Sequence, residues 1–482
     1  MSAITGSIGI VTKLRAVLWV GAYLALVLAP LAVILLGPVS PRRGFWIEFS
    51  MGLGFVGLAM LGMQSILTAR FPHLSRLFGQ DALLQFHHQA GLVAFGMIFA
   101  HPIILVLVSR SYRSFLDPRV NAAWAFALTL VLVTLPTLIA LSLWGRRLRL
   151  RYEWWRATHA ALAVLVLTIG MVHIASVGHY LSNPWKQALW VGIASASFAS
   201  VVHVRLIRPL RSMRRPYRVA AVNREGHHAW TITVTPERHE RLSFTPGQFA
   251  WFTIAGSPFA FDQHPLSITS SASDPGWLRF TIEELGDHTS WIGAVKVGQR
   301  AYVDGPYGSL GLSSDLDPGS GVAFIARGIG ITPIMSMLRT LADQRDPRPM
   351  ILIDANDRAE DRIFSDELEL LATRVDLRVV HVLREAPDGW TGETGSVTGD
   401  VLDRHLPTRD RDRWHYVLCG PPPMMEPVEQ ALLDRGIPLA RIQSERFDIG
   451  AAGAIGPRRV HVRRLVVGLG VAMVMAAALF AM

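Results

Sequence analysis

Long apolar runs and short alternating ones divide this chain into distinct stretches. Uninterrupted apolar segments lie at about 16–36, 45–67, 83–108, 122–144, 155–176 and 186–206, and a seventh runs from about 464 to the C-terminus. A hydrocarbon core of about 30 Å takes roughly 20 helical residues to cross, so each run predicts a membrane-spanning helix rather than a buried strand. After Pro216 the pattern changes to short alternating runs such as 217–222 and 230–234, broken by Pro and Gly. That pattern predicts an antiparallel barrel or sandwich. From Gly321 onward apolar strands alternate with helical stretches, as at 322–326, 334–341, 350–355, 366–372, 377–382 and 416–419, which is the signature of an α/β nucleotide-binding layer structure. The expected fold is a multidomain membrane protein. It has a transmembrane bundle over 1–210, a β-barrel domain over 216–312, an α/β domain over 320–449 and a C-terminal transmembrane helix over 462–482.

The net charge of +10 raises the question of nucleic-acid binding, and its distribution answers it. Arg146, Arg147, Arg149 and Arg151, then Arg205, Arg208, Arg211, Arg214 and Arg215, then Arg458, Arg459, Arg463 and Arg464 all flank apolar runs. This is what the positive-inside bias produces, and the partner it implies is the lipid bilayer, not a nucleic acid. Segments 68–82, 145–153 and the stretch after 206 are then cytoplasmic, and 37–44, 109–121 and 177–185 face outward. The bias is moderate, because the outward loops carry Arg42, Arg43, Arg110, Arg113 and Arg119. The soluble half falls in the cytoplasm, where NADH and NADPH are, and the Ala and Arg content points to a bacterial plasma (cell inner) membrane. The first apolar run lacks a small-residue cleavage site and is long enough to be a retained span. A single cysteine, Cys419, excludes an intramolecular disulfide and a cysteine-ligated cluster.

Ionisable side chains at membrane depth are costly and mark function. The third span carries His87 and His101 and the fifth carries His159 and His173, each pair separated by 14 residues. Fourteen steps of about 100° fall about 40° short of four whole turns, so each pair shares one helix face, with its members about 21 Å apart along the axis. The two helices run in the same direction, which sets His87 level with His159 and His101 level with His173. Two levels of paired imidazoles fit two haems, each held by two axial ligands. His88 points about 140° away from His101 around the helix, so His87 is the better ligand. His73, His179 and His203 lack such partners and read as interfacial or loop residues.

In the α/β half, Ala326-Arg-Gly-Ile-Gly-Ile-Thr-Pro333 sits between a strand and a helix. Glycines there let backbone approach a pyrophosphate, and the helix N-terminus supplies donors. Further phrases occur in order: Gln263-His-Pro-Leu-Ser-Ile-Thr-Ser270, Gly286-Asp-His-Thr289, Asp304-Gly-Pro-Tyr-Gly308, Cys419-Gly-Pro-Pro-Pro-Met424 and Glu445-Arg-Phe447. Together they resemble the ferredoxin-reductase-type FAD and NAD(P)H module. Joined to a six-helix bis-histidine membrane domain, the whole resembles the ferric reductase and NADPH oxidase superfamily over about residues 45–449.

That resemblance implies FAD held by His264, Pro265, Leu266, Ser267 and Thr269, with Gly286 to Thr289 cradling its pyrophosphate. It implies NADPH or NADH bound by Gly328, Gly330, Thr332 and Pro333, with Cys419, Gly420 and Pro421 near the nicotinamide and Phe447 covering the flavin face. Cys419 and Phe447 are the residues implied at the catalytic centre. Some positions depart from the pattern. Leu266 replaces a usual aromatic, Glu283 a common Lys and Arg327 a frequent Gly, while Asp357 and Arg358 pull in opposite directions on a 2′-phosphate and leave a mild lean to NADPH. Leu105 stands where superoxide-forming relatives often have another His, which leans against a tuned oxygen site. The seventh span is a further departure and reads as an anchor tethering the dehydrogenase to the bilayer, with a subunit-contact helix as the alternative.

The implied enzyme is an NAD(P)H-dependent flavocytochrome. Electrons pass from nucleotide to FAD, to the haem of His87 and His159, to the haem of His101 and His173, and then to a ferric chelate, oxygen or another small acceptor on the far side. Two other classes stay open on sequence alone. One is a haem-binding membrane sensor or carrier with a degenerate reductase module; the other is a membrane-anchored flavin reductase that makes no use of haem.

Overall fold

The computed structural model describes residues 2–36, 41–145, 147–148, 150–181, 183–254, 256–261, 263–284, 292–312, 320–446 and 457–482. It divides into two compact units, one made of residues 1–71, 82–207 and 458–482, the other of 72–81 and 208–457.

The first unit is helical. Its elements are α1 (Ser2–Leu35), α2 (Phe45–Leu67), α4 (Gln80–Val108, of which residues from Ala82 on belong here), α5 (Ala122–Trp144), α6 (Tyr152–Val177), α7 (Pro184–Val202, continued by a π-helical turn to Ile207) and α13 (Pro457–Ala481). Seven helices among the described residues are long and apolar enough to cross a membrane, as the hydropathy pattern predicts. Many large apolar side chains on these helices face outward, including Leu107, Phe126, Val172, Val191 and Phe198, which suits a lipid solvent and no aqueous one.

The core of this bundle is built on α2. Its inward face carries Leu53, Phe55, Val56, Ala59 and Met60, packed with Val27 and Leu31 of α1, Ala90, Ala94 and Met97 of α4 and Trp190 of α7. The C-terminal helix belongs to the same cluster through Leu469, Met473, Ala477 and Phe480. Gly52 makes that approach possible, since a Cβ there would lie 3.0 Å from the Cβ of Ala477. The anchor expected from sequence is thus packed into the bundle beside α2.

The second unit opens with α3 (Pro72–Phe78) and α8 (Arg208–Met213) and continues as two sheets. The first sheet is antiparallel, in the order β4-β3-β6-β1-β2-β5. Its strands are β1 (Tyr217–Glu225), β2 (Ala229–Pro236), β3 (Phe249–Ile254), β4 (His264–Ser267), β5 (Leu278–Glu283) and β6 (Arg300–Tyr307). A bridge between Ile268 and Phe280 brings the chain just after β4 against β5, so the sheet curls into a barrel around Ile232, Val234, Phe252, Ile268 and Phe280.

The second sheet is parallel, in the order β10-β9-β8-β7-β11-β12. It is formed by β7 (Val322–Arg327), β8 (Met350–Asn356), β9 (Leu377–Leu383), β10 (Glu393–Thr394), β11 (His415–Gly420) and β12 (Ile442–Arg446). Helices α9 (Ile331–Asp343) and α10 (Ser365–Ala372) cover one face, and α11 (Gly399–His405) and α12 (Pro422–Asp434) cover the other. Burial on both faces explains why β7 and β8 read as nearly continuous apolar runs. The strand order reverses between β7 and β11, and the crevice at the carboxyl ends of strands at such a switch point is where open α/β sheets bind ligands.

Candidate functional site

In the helical unit, α4 and α6 run in parallel and set four imidazoles at two levels. The ring centroids of His87 and His159 are 6.2 Å apart, and those of His101 and His173 are 6.3 Å apart. A first-row metal binds an imidazole nitrogen at about 2 Å, and that nitrogen lies about 1.1 Å from the ring centre, so two rings flanking one ion have centroids roughly 6.2 Å apart. A direct hydrogen bond between the rings would bring them about an ångström closer. Both pairs therefore have the separation of axial ligands to a single metal. Among the described residues no group of three or more His, Cys, Asp or Glu gathers around a common point, so the pairs suit a metal that brings its own in-plane ligands.

The opposite edges of three of these rings are held by the protein. His101 Nδ1 lies 2.9 Å from the Ser50 carbonyl oxygen and 3.0 Å from the Ser50 hydroxyl. His159 Nδ1 lies 3.0 Å from the Ser142 hydroxyl, and the Gln64 carboxamide is 2.6 Å from His87 Nδ1. Occupying Nδ1 directs Nε2 toward the partner ring and fixes the tautomer that a metal ligand needs. Trp155 tilts against His159 at 5.6 Å, and Trp124 meets His173 edge-on at 5.3 Å. Gly54 clears the space for His101, because a Cβ there would sit 3.1 Å from the ring.

In the second unit, the expected nucleotide-binding residues converge at the switch point. Gly328, Gly330, Thr332 and Pro333 lie between β7 and the first turn of α9, and Cys419, Gly420 and Pro421 lie at the end of β11. Cys419 pairs in register with Ala326 of β7, and a Cβ on Gly330 would lie 2.3 Å from the Cys419 carbonyl oxygen. The two segments thus touch through backbone. The Cys419 side chain is wholly enclosed in the core, with 0% exposure. Pro333 sits in the first turn of α9, where a missing N–H costs nothing, and the Thr332 hydroxyl donates to the Ile329 carbonyl at 2.8 Å.

The expected flavin residues form β4 and the turn after it. His264 to Ser267 pair with Phe249 to Phe252 of β3. Helix α9 is bonded to the segment that follows. The Ser336 hydroxyl donates to the Ser270 carbonyl at 2.8 Å, the Ala272 amide donates to the Thr340 hydroxyl at 2.9 Å, and Arg339 donates to the Thr269 carbonyl. Arg339 is held in turn by a two-pronged pair with Glu367, at 2.7 and 2.6 Å. The segment after β4 and helix α9 are therefore tied together as one piece. Gly286, Thr289 and Phe447 lie outside the described residues.

Two family models match the chain. A ferric reductase like transmembrane component matches residues 53–170, and an oxidoreductase NAD-binding domain matches residues 324–430. The two matches together are the domain pairing of a ferric reductase and NADPH oxidase-type fusion. Its reductase half is 32% identical over 205 residues to the NADH-cytochrome b5 reductase 1 of Emericella nidulans, covering 41% of this chain and 65% of that relative. It is 31% identical over 220 residues to the enzyme of the same name from Meyerozyma guilliermondii, covering 44% of this chain and 75% of that one. The chain thus spans a little under two thirds of the first of these relatives. Among solved structures, a flavohemoglobin from Malassezia yamatoensis with bound FAD and heme shows a TM-score of 0.44 at 19% identity, covering 79% of this chain and 99% of that one. A ferredoxin NADP+ reductase from Neisseria gonorrhoeae shows 0.41 at 20% identity, covering 48% and 98%. The chain is thus an integral membrane protein that carries an oxidoreductase NAD-binding domain.

Ser50, Gln64 and Ser142 escaped the sequence reading, yet the sequence carries a signal for two of them. Ser50 and Gln64 are 14 residues apart on α2, the same interval that separates the histidines on α4. On two antiparallel helices that interval brings one polar residue beside each ligand. A third buried polar residue on α2 is Glu48, whose carboxylate accepts from the Arg43 amide at 3.0 Å and from the Tyr180 hydroxyl at 2.6 Å.

Proposed function

We propose that the protein carries electrons from cytoplasmic NAD(P)H, through FAD and two b-type haems, to an acceptor on the far side of the plasma membrane, with ferric chelates and oxygen as the candidate acceptors. The observation that carries this reading is the pair of imidazole gaps, each wide enough for one axially ligated iron. The residues fit the two groups. His87 with His159 and His101 with His173 would hold the haems. The Ser267 hydroxyl on the flavin strand is buried with no hydrogen-bond partner among the described residues, and a buried hydroxyl left in that state calls for a ligand. When bound, the flavin takes up a hydride and the haems relay single electrons.

The chain's own residues do the rest. Gly328 and Gly330 bring backbone to the dinucleotide, the first turn of α9 offers its amides to the pyrophosphate, and Pro421 begins the wall on the β11 side. In the bundle, Ser50, Gln64 and Ser142 orient the imidazoles, and the apolar helix faces exclude water between the two levels.

We infer a preference for NADH, where the sequence alone leaned mildly to NADPH. A cavity of about 300 Å3 beside the end of β8 is lined by His227, His228, Asp357, Arg358, Arg384 and Glu385, with Glu360 and Asp361 also at its wall. Its arginines are already matched. Arg327 reaches Asp357 at 2.6 Å, Arg384 lies 3.5 Å from Asp357, and Arg358 is 2.9 Å from Glu385. Burial, then the charge of Asp361 and that of Asp357 push the nearby Glu283 carboxyl above its ordinary range, opposed by His228. An acidic residue just past the second strand suits a ribose hydroxyl and repels a 2′-phosphate. We expect kcat/KM for NADH to exceed that for NADPH by at least about tenfold, and Asp357→Ser to cut the ratio by roughly tenfold, a shift of about 1.4 kcal/mol. Steady-state reduction of ferricyanide with each nucleotide measures it.

The function itself is tested by an anaerobic visible spectrum of the detergent-solubilised protein with FAD. A b-type haem spectrum whose bands sharpen on adding NADH supports the electron path. Haem that responds only to dithionite supports the sensor or carrier reading, and absence of haem overturns the bundle's redox role.

A further inference from the structure

Helix α13 meets the bundle along one stripe. Val466, Leu469, Met473, Ala477 and Phe480 are buried, at steps of three and four residues, while Val467, Val471, Met475 and Leu479 are exposed. That spacing is the seam of a helix packed on other helices, and a tether to the bilayer has no use for it. Part of the way along, a Cβ on Gly470 would come 3.4 Å from Val93 of α4. Near the C-terminal end the seam presses on α2 at Gly52. A Cβ there would lie 3.0 Å from the Ala477 Cβ and 3.2 Å from its Cα, so no side chain fits unless one helix gives way.

The opposite side of α2 holds a haem-ligand candidate. Ser50 and Gly54 stand two residues before and after Gly52, and at about 100° per residue both point about 160° away from it. His101 is seated on that side. Its Nδ1 lies 2.9 Å from the Ser50 carbonyl oxygen, and the Ser50 hydroxyl donates to the His101 carbonyl at 2.8 Å. A Cβ on Gly54 would fall 3.1 Å from the His101 ring, and one on Gly57 would fall 2.8 Å from Ile98 of α4. Helix α2 is thus a spacer one helix thick, with Ala477 against one side and His101 against the other. A second contact holds the same end. The ring of Phe480 meets that of Tyr180 at 6.2 Å, and the Tyr180 hydroxyl donates to the Glu48 carboxylate of α2 at 2.6 Å.

We propose that α13 is a positioning element for His101, with Ala477 holding α2 at the distance where Ser50 keeps the imidazole turned toward His173. This rests on the haem ligands given under Proposed function, and it adds a part that the ferric reductase match at residues 53–170 does not reach. An imidazole whose Nδ1–H donates to a carbonyl is a more basic ligand, and a more basic ligand favours the oxidised metal. Disturbing the Ser50 contact should therefore weaken ligation and raise the midpoint potential at that level alone.

The test is a redox titration of the full chain in detergent, read by visible and low-temperature EPR spectra. In Ala477→Phe one of two haem potentials should rise and its low-spin EPR signal should shift, while the other haem keeps wild-type values. Haem transfer from the shifted level to apomyoglobin should be faster by about tenfold, the lower end of the usual scale for such supporting contacts. Val471→Phe adds the same bulk on the exposed side of α13 and should change nothing. The shift should survive in a His87→Ala background, which leaves only the His101 level, and vanish in a His101→Ala background. Should Ala477→Phe fail to assemble, Gly52→Ala decides. It should shift the same haem in the same direction, and Gly52→Ala/Ala477→Gly, which returns the room, should restore it. Wild-type potentials and EPR signals in Ala477→Phe or in Gly52→Ala, equal shifts of both haems, or the same shift in Val471→Phe overturns the proposal. Failure of the four-histidine reading shows separately, as absence of haem from the wild-type chain.

Discussion

Replacing His101 with alanine is expected to leave the protein with about one haem per chain in place of two and to abolish electron delivery to an impermeant acceptor. The argument is geometric. The rings of His101 and His173 lie 6.3 Å apart, the separation of two ligands to one metal, and no other histidine of α4 can replace His101, because His87 and His88 lie about 20 Å away along the helix. His101 is held on one side by Ser50 and from below by Gly54, so its loss leaves a gap that no described imidazole can enter. The pair at His87 and His159 shares no residue with it and should keep its haem. A pyridine haemochrome assay per mole of protein reads the stoichiometry, and proteoliposomes with external ferricyanide read the delivery. NADH-dependent reduction of the remaining haem should persist in His101→Ala and disappear in His87→Ala. Two haems per chain in the His101 variant would sink the four-histidine assignment. Gln64→Leu is a gentler test, since it removes the residue beside Nδ1 of His87 and leaves the ligand; a loss of about 10–100-fold in haem affinity is the usual scale for such partners.

Much of this architecture was legible because membranes and nucleotide folds impose strong periodicities. Runs long enough to span a bilayer announced the seven helices, and the repeated 14-residue interval placed His87 with His159 and His101 with His173 before any coordinates. The switch-point crevice followed from the strand, glycine and helix order around Gly328 and Gly330. What stayed hidden depends on how helices pack rather than on what each contains. Ser50 and Gln64 repeat the histidine interval, yet serine and glutamine in a span have many uses, and only the antiparallel contact of α2 with α4 turns them into ligand supports. Hydropathy alone could not show that the C-terminal helix, read as an anchor, also docks against α2 where Gly52 meets Ala477. The inferred preference for NADH likewise rests on packing. Asp357 and Arg358 seem to oppose each other along the chain, but Arg358 turns to Glu385, and the acidic side dominates the cavity.

The second large effect is expected from one methyl group at Gly330. A Cβ at this position would fall 2.3 Å from the Cys419 carbonyl oxygen, 2.7 Å from its carbon and 3.0 Å from the Gly420 Cα. All three atoms are backbone, so no side chain can swing aside. Neither wall can retreat, because β11 is fixed in register between β7 and β12 through Cys419, Ala326 and Glu445, and α9 is bonded to the segment after the flavin strand. Forcing groups into such a packed site typically costs about 1–3 kcal/mol, and here the cost falls on the contact that shapes the nucleotide crevice. Gly330→Ala should therefore reduce NADH-dependent flavin reduction by up to about 100-fold, while FAD content and dithionite reduction of both haems stay near wild type. Gly328 offers a graded comparison. A Cβ there meets nothing within 4 Å, but its φ of +54° lies in the left-handed region, where a side chain costs about 1–2 kcal/mol. Gly328→Ala should then lose roughly tenfold and keep more stability than Gly330→Ala. Stopped-flow bleaching of the flavin by NADH ranks the two. Wild-type rates in Gly330→Ala would mean that the β7 and β11 ends do not form the nicotinamide site, and the reversed ranking would mean that backbone conformation, not the contact with Cys419, shapes it.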